Sequence, residues 1–258
     1  MTDELVHLEV AGGVGTITLD SPRNRNALSR RLIADLDRHL GAALADPGVR
    51  VVVLTGAGPA FCAGADLAER RAPDSTPPSG PGGLASILAA MWEAPKPVVG
   101  RINGAARAGG LGLIAACDIA VAVETATFGL SEVRIGVIPA TISVVLLPKI
   151  GQARAMELFL TGDLFDARTA VGYGLLTAAA PDGRLDEVVA RYVASLLKGA
   201  PGALAGCKRL VRDVPKLPMD VAFAEMTERS ARSFASEEAR EGMAAFAEKR
   251  PPRWAAEG

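Results

Sequence analysis

The chain has 258 residues, 49% apolar and 22% charged, with a formal net charge of −1. That length can bury a substantial core, as one large domain or two small ones. The near-neutral balance and the lack of any Lys/Arg block exclude a nucleic-acid or anionic-membrane surface from the expected functions.

Leu5–Val10 and Val14–Leu19 are apolar runs joined by Ala11-Gly12-Gly13, a hairpin signal. Ser21-Pro22 ends the second, and Arg23-Asn24-Arg25-Asn26 reads as an exposed basic loop. Ser29 can cap a helix whose apolar face is Leu32, Ile33, Leu36, Leu40, Ala43 and Leu44. Pro47-Gly48 stops it, and Val49–Leu54 suits a strand buried on both faces. Thr55-Gly56-Ala57-Gly58-Pro59 leads to Phe61-Cys62-Ala63-Gly64-Ala65-Asp66-Leu67, where small residues give way to a helix start that Asp66 favours. From Arg70 to Gly83 the chain turns to Pro, Ser and Gly, which fits a surface loop placed to act as a lid. Leu84–Trp92 is a short helix and Val98–Ile102 a strand; Cys117–Val123 is another strand. Helical patterns follow at Ile142–Leu147, Ala153–Leu160, Ala167–Val171, Leu185–Leu197 and Ala203–Val211, with Leu175–Ala179 a last strand. Ala222–Glu248 is nearly all helix-forming. The pattern is an α/β core followed by a helical C-terminal region that packs on the core or on a neighbouring subunit.

Cys62, Cys117 and Cys207 lie far apart without metal-ligand spacing and read as buried, reduced thiols. The two histidines fall in a strand pattern (His7) and on a helix of core leucines (His39), so a His triad or His-ligated metal has little material. The N-terminus lacks a signal's basic and apolar regions, and no apolar run reaches about 18 residues, so the expected location is cytoplasmic, with no membrane segment.

The segment from Ile102 to Glu132 carries the chemistry. A strand feeds a small-residue turn, Ala105-Ala106-Arg107-Ala108, and Gly109-Gly110 opens a short apolar helix. Uncovered backbone N–H groups at such a turn, on the positive end of a helix dipole, suit an oxygen bearing negative charge. The competing reading is that the glycines only let helix and sheet pack closely. Gly64-Ala65 makes a second turn of the same kind. If the two strands are neighbours, both N–H groups can aim at one oxygen.

Phe-Cys-Ala-Gly-Ala-Asp-Leu, Pro-Lys-Pro-Val-Val-Gly-Arg-Ile-Asn-Gly-Ala, Ala-Ala-Cys-Asp-Ile-Ala, Phe-Gly-Leu-Ser-Glu and the tail Phe-Ala-Glu-Lys-Arg together resemble the enoyl-CoA hydratase/isomerase (crotonase) superfamily from about Leu5 to Trp254. The resemblance implies a crotonase-like ββα spiral core, residues 1–195, and a helical C-terminal trimerisation region, residues 196–258, in trimers or hexamers. It implies an acyl-CoA thioester substrate and no separate cofactor or metal. Ala65 and Gly109 would supply the two oxyanion-hole N–H groups. Ala63, Asp66, Leu67 and Ala68 would line the CoA groove, with Arg23, Arg25, Ala27 and Leu28 near the nucleotide. Lys249 matches a basic position that often reaches a neighbour's CoA phosphates; a solvated tail lysine is the plain alternative.

Hydratases of this family usually carry two catalytic glutamates. This chain keeps Glu132, among apolar neighbours that would raise its pKa, but has Gly112 where the other is usual. One carboxylate must then move every proton alone. Hydration of a 2-enoyl-CoA is the leading expectation, 3-enoyl to 2-enoyl isomerisation the second, and a catalytically silent CoA-binding protein the third. Arg107 replaces a usually apolar residue; it either pairs with a nearby acid or meets a second carboxylate on the substrate. Thr55-Gly56-Ala57-Gly58 also resembles a dinucleotide turn, but Thr177 and Leu196 follow Tyr173 and Tyr192 where a Tyr-x-x-x-Lys pair needs lysine.

Overall fold

A computed structural model describes residues 4–70 and 82–255; most of the segment read as a lid lies outside them. β1 (Val6–Ala11) and β2 (Val14–Leu19) form the expected hairpin. Ser29 Oγ accepts from Leu32 N–H at 3.2 Å and caps α1 (Arg30–Ala45), which buries Leu32, Ile33, Leu36, Leu40 and Ala43. There follow β3 (Val51–Gly56), β4 (Ala60–Cys62), α2 (Leu67–Arg70) and α3 (Leu84–Glu93). Next come β5 (Val98–Ile102), β6 (Ala105–Arg107), α4 (Gly109–Ala116), β7 (Ile119–Val123) and β8 (Thr127–Gly129). A 3-10 turn at Glu132–Ile135 leads to α5 (Ala140–Thr161), β9 (Leu164–Asp166), α6 (Ala167–Gly172) and β10 (Ala178–Ala180). The rest is helical: α7 (Leu185–Leu197), α8 (Pro201–Asp213), α9 (Met219–Phe234) and α10 (Glu237–Ala247).

The strands form two sheets. The first runs β1-β2-β3-β5-β7-β10 and is parallel from β2 onward. The second runs β4-β6-β8-β9, with β4, β6 and β8 parallel and β9 antiparallel. Three times in succession the chain lays a longer strand in the first sheet, a three-residue strand in the second, and then turns into a helix. This is the ββα spiral that the motifs imply. The first sheet's strands read as unbroken apolar runs because both of its faces are covered. Val51 and Val53 pack under Leu185 and Val189 of α7, while Val52 and Leu54 join the larger core with Leu32, Leu36 and Met91.

Several boundaries differ from the sequence reading. The strand expected at Val49–Leu54 is Val51–Gly56, and Cys117 closes α4 rather than opening β7. The patterns at Ile142–Leu147 and Ala153–Leu160 are one element, bent at Gly151, whose φ is +71°. The helical tail breaks where Ser236 Oγ accepts from Ala239 N–H at 3.1 Å and starts α10. Cys207 is exposed, not buried. The last strand is Ala178–Ala180.

Cations fasten the C-terminal helices to the core. Lys208 Nζ lies 2.6 Å from Asp118 Oδ2 and donates to Lys96 O at 3.0 Å; the same Asp118 oxygen accepts from Val98 N–H. Arg212 donates to Trp92 O, and Arg50 donates to Gly199 O and Trp254 O. Burial lowers the Lys208 pKa and Asp118 opposes that shift. Lys208→Met should leave Asp118, whose side chain is 27% exposed, without its cation and cost on the order of 2 kcal/mol in a urea titration. Unchanged stability would show that apolar packing alone docks α8.

Candidate active site

β4 and β6 are neighbours, with Cys62 opposite Ala106. The two small-residue turns leave these strands side by side. Gly64 has φ +82°, and a Cβ there would stand 2.8 Å from Ala108 Cβ and 2.9 Å from Arg107 O. A Cβ on Gly109 would stand 2.7 Å from Leu28 Cδ1. Gly64 therefore requires glycine, while a side chain on Gly109 would have to displace the end of Leu28. Leu28 N–H donates to Gly64 O at 2.7 Å and Asp66 N–H approaches Leu28 O at 3.5 Å, a ladder that skips the N–H of exposed Ala65. Gly109 is the first residue of α4, so its N–H has no intrahelical acceptor. Among the described residues neither N–H finds a protein acceptor. Ala108, between strand and helix, is held at φ +47° and ψ −116°, a region that L residues avoid. Cys62 beneath the turns is fully buried, its thiol pushed up to about 12 by burial, and is not a nucleophile.

Ala108 N–H donates to Gly129 O at 3.0 Å, tying the second turn to the end of β8. Three residues later comes Glu132, at the start of the 3-10 turn. Its side chain is half-buried, and Oε2 is enclosed with no hydrogen-bond partner among the described residues. Burial raises its pKa above the usual 4.5, and a bond to its own N–H only partly offsets this. An enclosed carboxylate oxygen without a protein partner is free to bind a water or a ligand. Gly112, one helical turn past Gly109, is buried, and the space its Cβ would take belongs to Ile142.

The loop before α1 forms the adjoining wall. Arg23 and Arg25 are exposed, whereas Ala27 and Leu28 are buried. Asn26, read from the sequence as exposed, is fully buried. Its Nδ2 donates to Ala57 O, Ala60 O and Phe61 O, and its Oδ1 accepts from Ser21 N–H at 2.8 Å. Arg25 and Asn26 are both left-handed, with φ of 57° and 56°, and Ala63 N–H donates to Arg25 O at 3.0 Å. The only sequence cue was asparagine's tolerance of that conformation. Asp66 Oδ1 accepts from Ala68 N–H at 3.0 Å at the start of α2, and Oδ2 accepts from Asn24 at 3.2 Å. Leu67 is 50% exposed beside it. Loop and turn thus stand as one wall. Lys249, exposed and left-handed beyond α10, makes no hydrogen bond or ion pair to this wall among the described residues.

The acid expected beside Arg107 is absent among the described residues. Arg107 Nη1 donates to Thr127 O at 2.6 Å and to Ala106 O at 2.8 Å, and Nη2 to Thr127 Oγ1 at 2.9 Å. Its pKa is lowered, chiefly by burial and further by Arg25. The guanidinium latches β6 to β8.

Two stability measurements follow. Ala108→Gly removes backbone strain of about 1–3 kcal/mol against a glycine entropy cost of ~0.5–1 kcal/mol, so Tm should rise. A lower Tm would show an unstrained turn. The native state holds the Glu132 proton to higher pH than the unfolded chain, so this group's contribution to stability is lost as pH rises from 4.5 through the raised value. Glu132→Gln should therefore match the parent below that window and exceed it above; a difference that grows toward acid would reverse the assignment.

Comparison with known proteins shows the family and the fold. The family described as enoyl-CoA hydratase/isomerase matches residues 9–257. A Thermus thermophilus protein named "Putative enoyl-CoA hydratase" is 39% identical over 249 residues, covering 94% of this chain and 98% of its own. Carnitinyl-CoA dehydratase of Escherichia coli K12 is 34% identical over 260 residues, covering 97% and 98%. The crystal structure of an enoyl-CoA hydratase from Shewanella pealeana superposes with a TM-score of 0.90 at 31% identity, covering 97% of this chain and 96% of that one. Two turns meeting above paired short strands, a carboxyl on the next strand's exit and the same spiral from end to end make the chain a member of the enoyl-CoA hydratase/isomerase family, the crotonase superfamily.

Proposed function

We propose that this protein catalyses the reversible hydration of a 2-enoyl-CoA to a 3-hydroxyacyl-CoA, with Glu132 as acid/base. The observation that carries it is the enclosed, unpartnered Glu132 Oε2 on a segment hydrogen-bonded to the turn that presents Gly109 N–H. The thioester oxygen sits between the N–H groups of Ala65 and Gly109. As a water oxygen bonds to C3, Glu132 takes its proton, the C2=C3 electron pair moves toward the thioester, and the oxygen becomes an enolate held by both donors. Collapse of the enolate returns a proton from Glu132 to C2. The raised pKa places the carboxyl nearer the range where it can both take and give a proton. The hydratase and dehydratase names of the relatives support this direction of chemistry. Arg23, Arg25, Ala27, Leu28, Ala63, Asp66 and Leu67 line the CoA side, and Arg107 braces the turn. Exposed Ile138, Val144, Leu160, Phe223 and Phe246 support assembly as a homotrimer or hexamer. No helix among the described residues is long and apolar enough to cross a membrane.

A second reading, transfer of a proton from C2 to C4 of a 3-enoyl-CoA, is favoured by the apolar filling over Gly112. Crotonyl-CoA and 3-hexenoyl-CoA separate the two. Loss of conjugated absorbance on the first marks hydration, and its appearance on the second marks isomerisation. Glu132→Gln should lower either rate roughly a thousandfold. Full activity in that variant would remove Glu132 from the chemistry.

A further inference from the structure

Gly112 is not an empty position. A Cβ there would stand 2.4 Å from Ile142 Cγ2, 3.0 Å from Ile142 Cβ and 3.4 Å from Leu88 Cδ1. Ile142 is 3% exposed and lies in the first turn of α5, and Leu88 is 2% exposed on α3. A β-branched side chain on a helix has essentially one χ1 rotamer, so Ile142 cannot swing aside, and its Cβ is itself too near. One turn earlier on α3, Leu84 Cδ2 would lie 3.3 Å from a Cβ on Gly109. Leu84, Leu88 and Ile142 therefore make a continuous apolar wall along α4, reaching from the oxyanion turn to the place a second acid/base would occupy. No polar side chain of that wall can hold or activate a water.

We infer that Ile142 is a specificity-determining residue. By filling the room over Gly112 it keeps a second proton carrier out of the site and leaves Glu132, among the described residues, as the one carboxylate that can hold a water there. It thereby fixes the balance between adding water at C3 and moving a proton between carbons. The chemistry rests on the function proposed above; the filling does not. Ile142 touches no reacting atom in this account and acts through the space it denies.

The test compares Gly112→Glu, Ile142→Ala and Gly112→Glu/Ile142→Gly with the parent. Each is assayed for Tm and for rates on crotonyl-CoA and 3-hexenoyl-CoA across pH. Gly112→Glu alone should lower Tm and both activities, because the new side chain meets Ile142. The double variant should regain most of the lost Tm and raise the hydration-to-isomerisation ratio at least roughly tenfold, with a second ionisation in its pH–rate profile. Ile142→Ala should move the ratio the same way by a few-fold, since water gains room, and it judges the idea if the double variant does not fold. A Gly112→Glu protein with the parent's Tm, or a folded Ile142→Ala protein with the parent's ratio, overturns the inference. A parent inactive on both thioesters would instead sink the functional reading, while the Tm comparison still judges the filling.

Discussion

The site depends on two segments of backbone lying against each other at a place where one of them has no side chain. Gly64 meets the bend at Arg107–Gly109 at the limit of backbone contact, and the pairing of β4 with β6 sets that distance. The approach sets two separate strand exits side by side. The N–H groups of Ala65 and Gly109 belong to the backbone, so strand and helix packing, not side-chain rotamers, sets their positions. A methyl group on Gly64 would meet Ala108 Cβ and Arg107 O and push the two bends apart without any change of charge.

Much of the first sheet was legible from residues alone. Its strands are apolar runs bounded by glycine and proline, and α1 announces itself through Ser29 and its leucines. The second sheet was not legible. Ala60–Cys62, Ala105–Arg107 and Thr127–Gly129 are too short for a period of two to show, and alanine and glycine carry little strand preference. Yet it is this sheet, and not the ends of β3 and β5, that brings the turns together. Motif resemblance pointed to Ala65, Gly109 and Glu132, and the geometry sets these segments side by side. It gave no hint of Asn26, which looked like one more polar loop residue, nor of Ile142, whose importance lies in the shape of a neighbouring glycine. Arg107 shows the converse: an unusual charge in a motif, met in the structure by a threonine and two carbonyls.

The site concentrates features that a protein built only for stability would avoid. Among the described residues, Ala108 sits in a conformation that suits glycine, Glu132 has an enclosed oxygen with no partner, and two N–H groups lack acceptors. Such departures collect where a ligand completes the structure. The surrounding apolar packing, from Leu28 through Leu84 and Leu88 to Ile142, holds them in place.

Asn26 binds these parts to each other. Its amide nitrogen faces three carbonyl oxygens within 3.2 Å. A carboxylate in place of that amide would set an anion amid those oxygens, and repulsion would part the loop carrying Arg23 and Arg25 from β4. One uncharged, buried side chain thus decides whether loop and strand hold together.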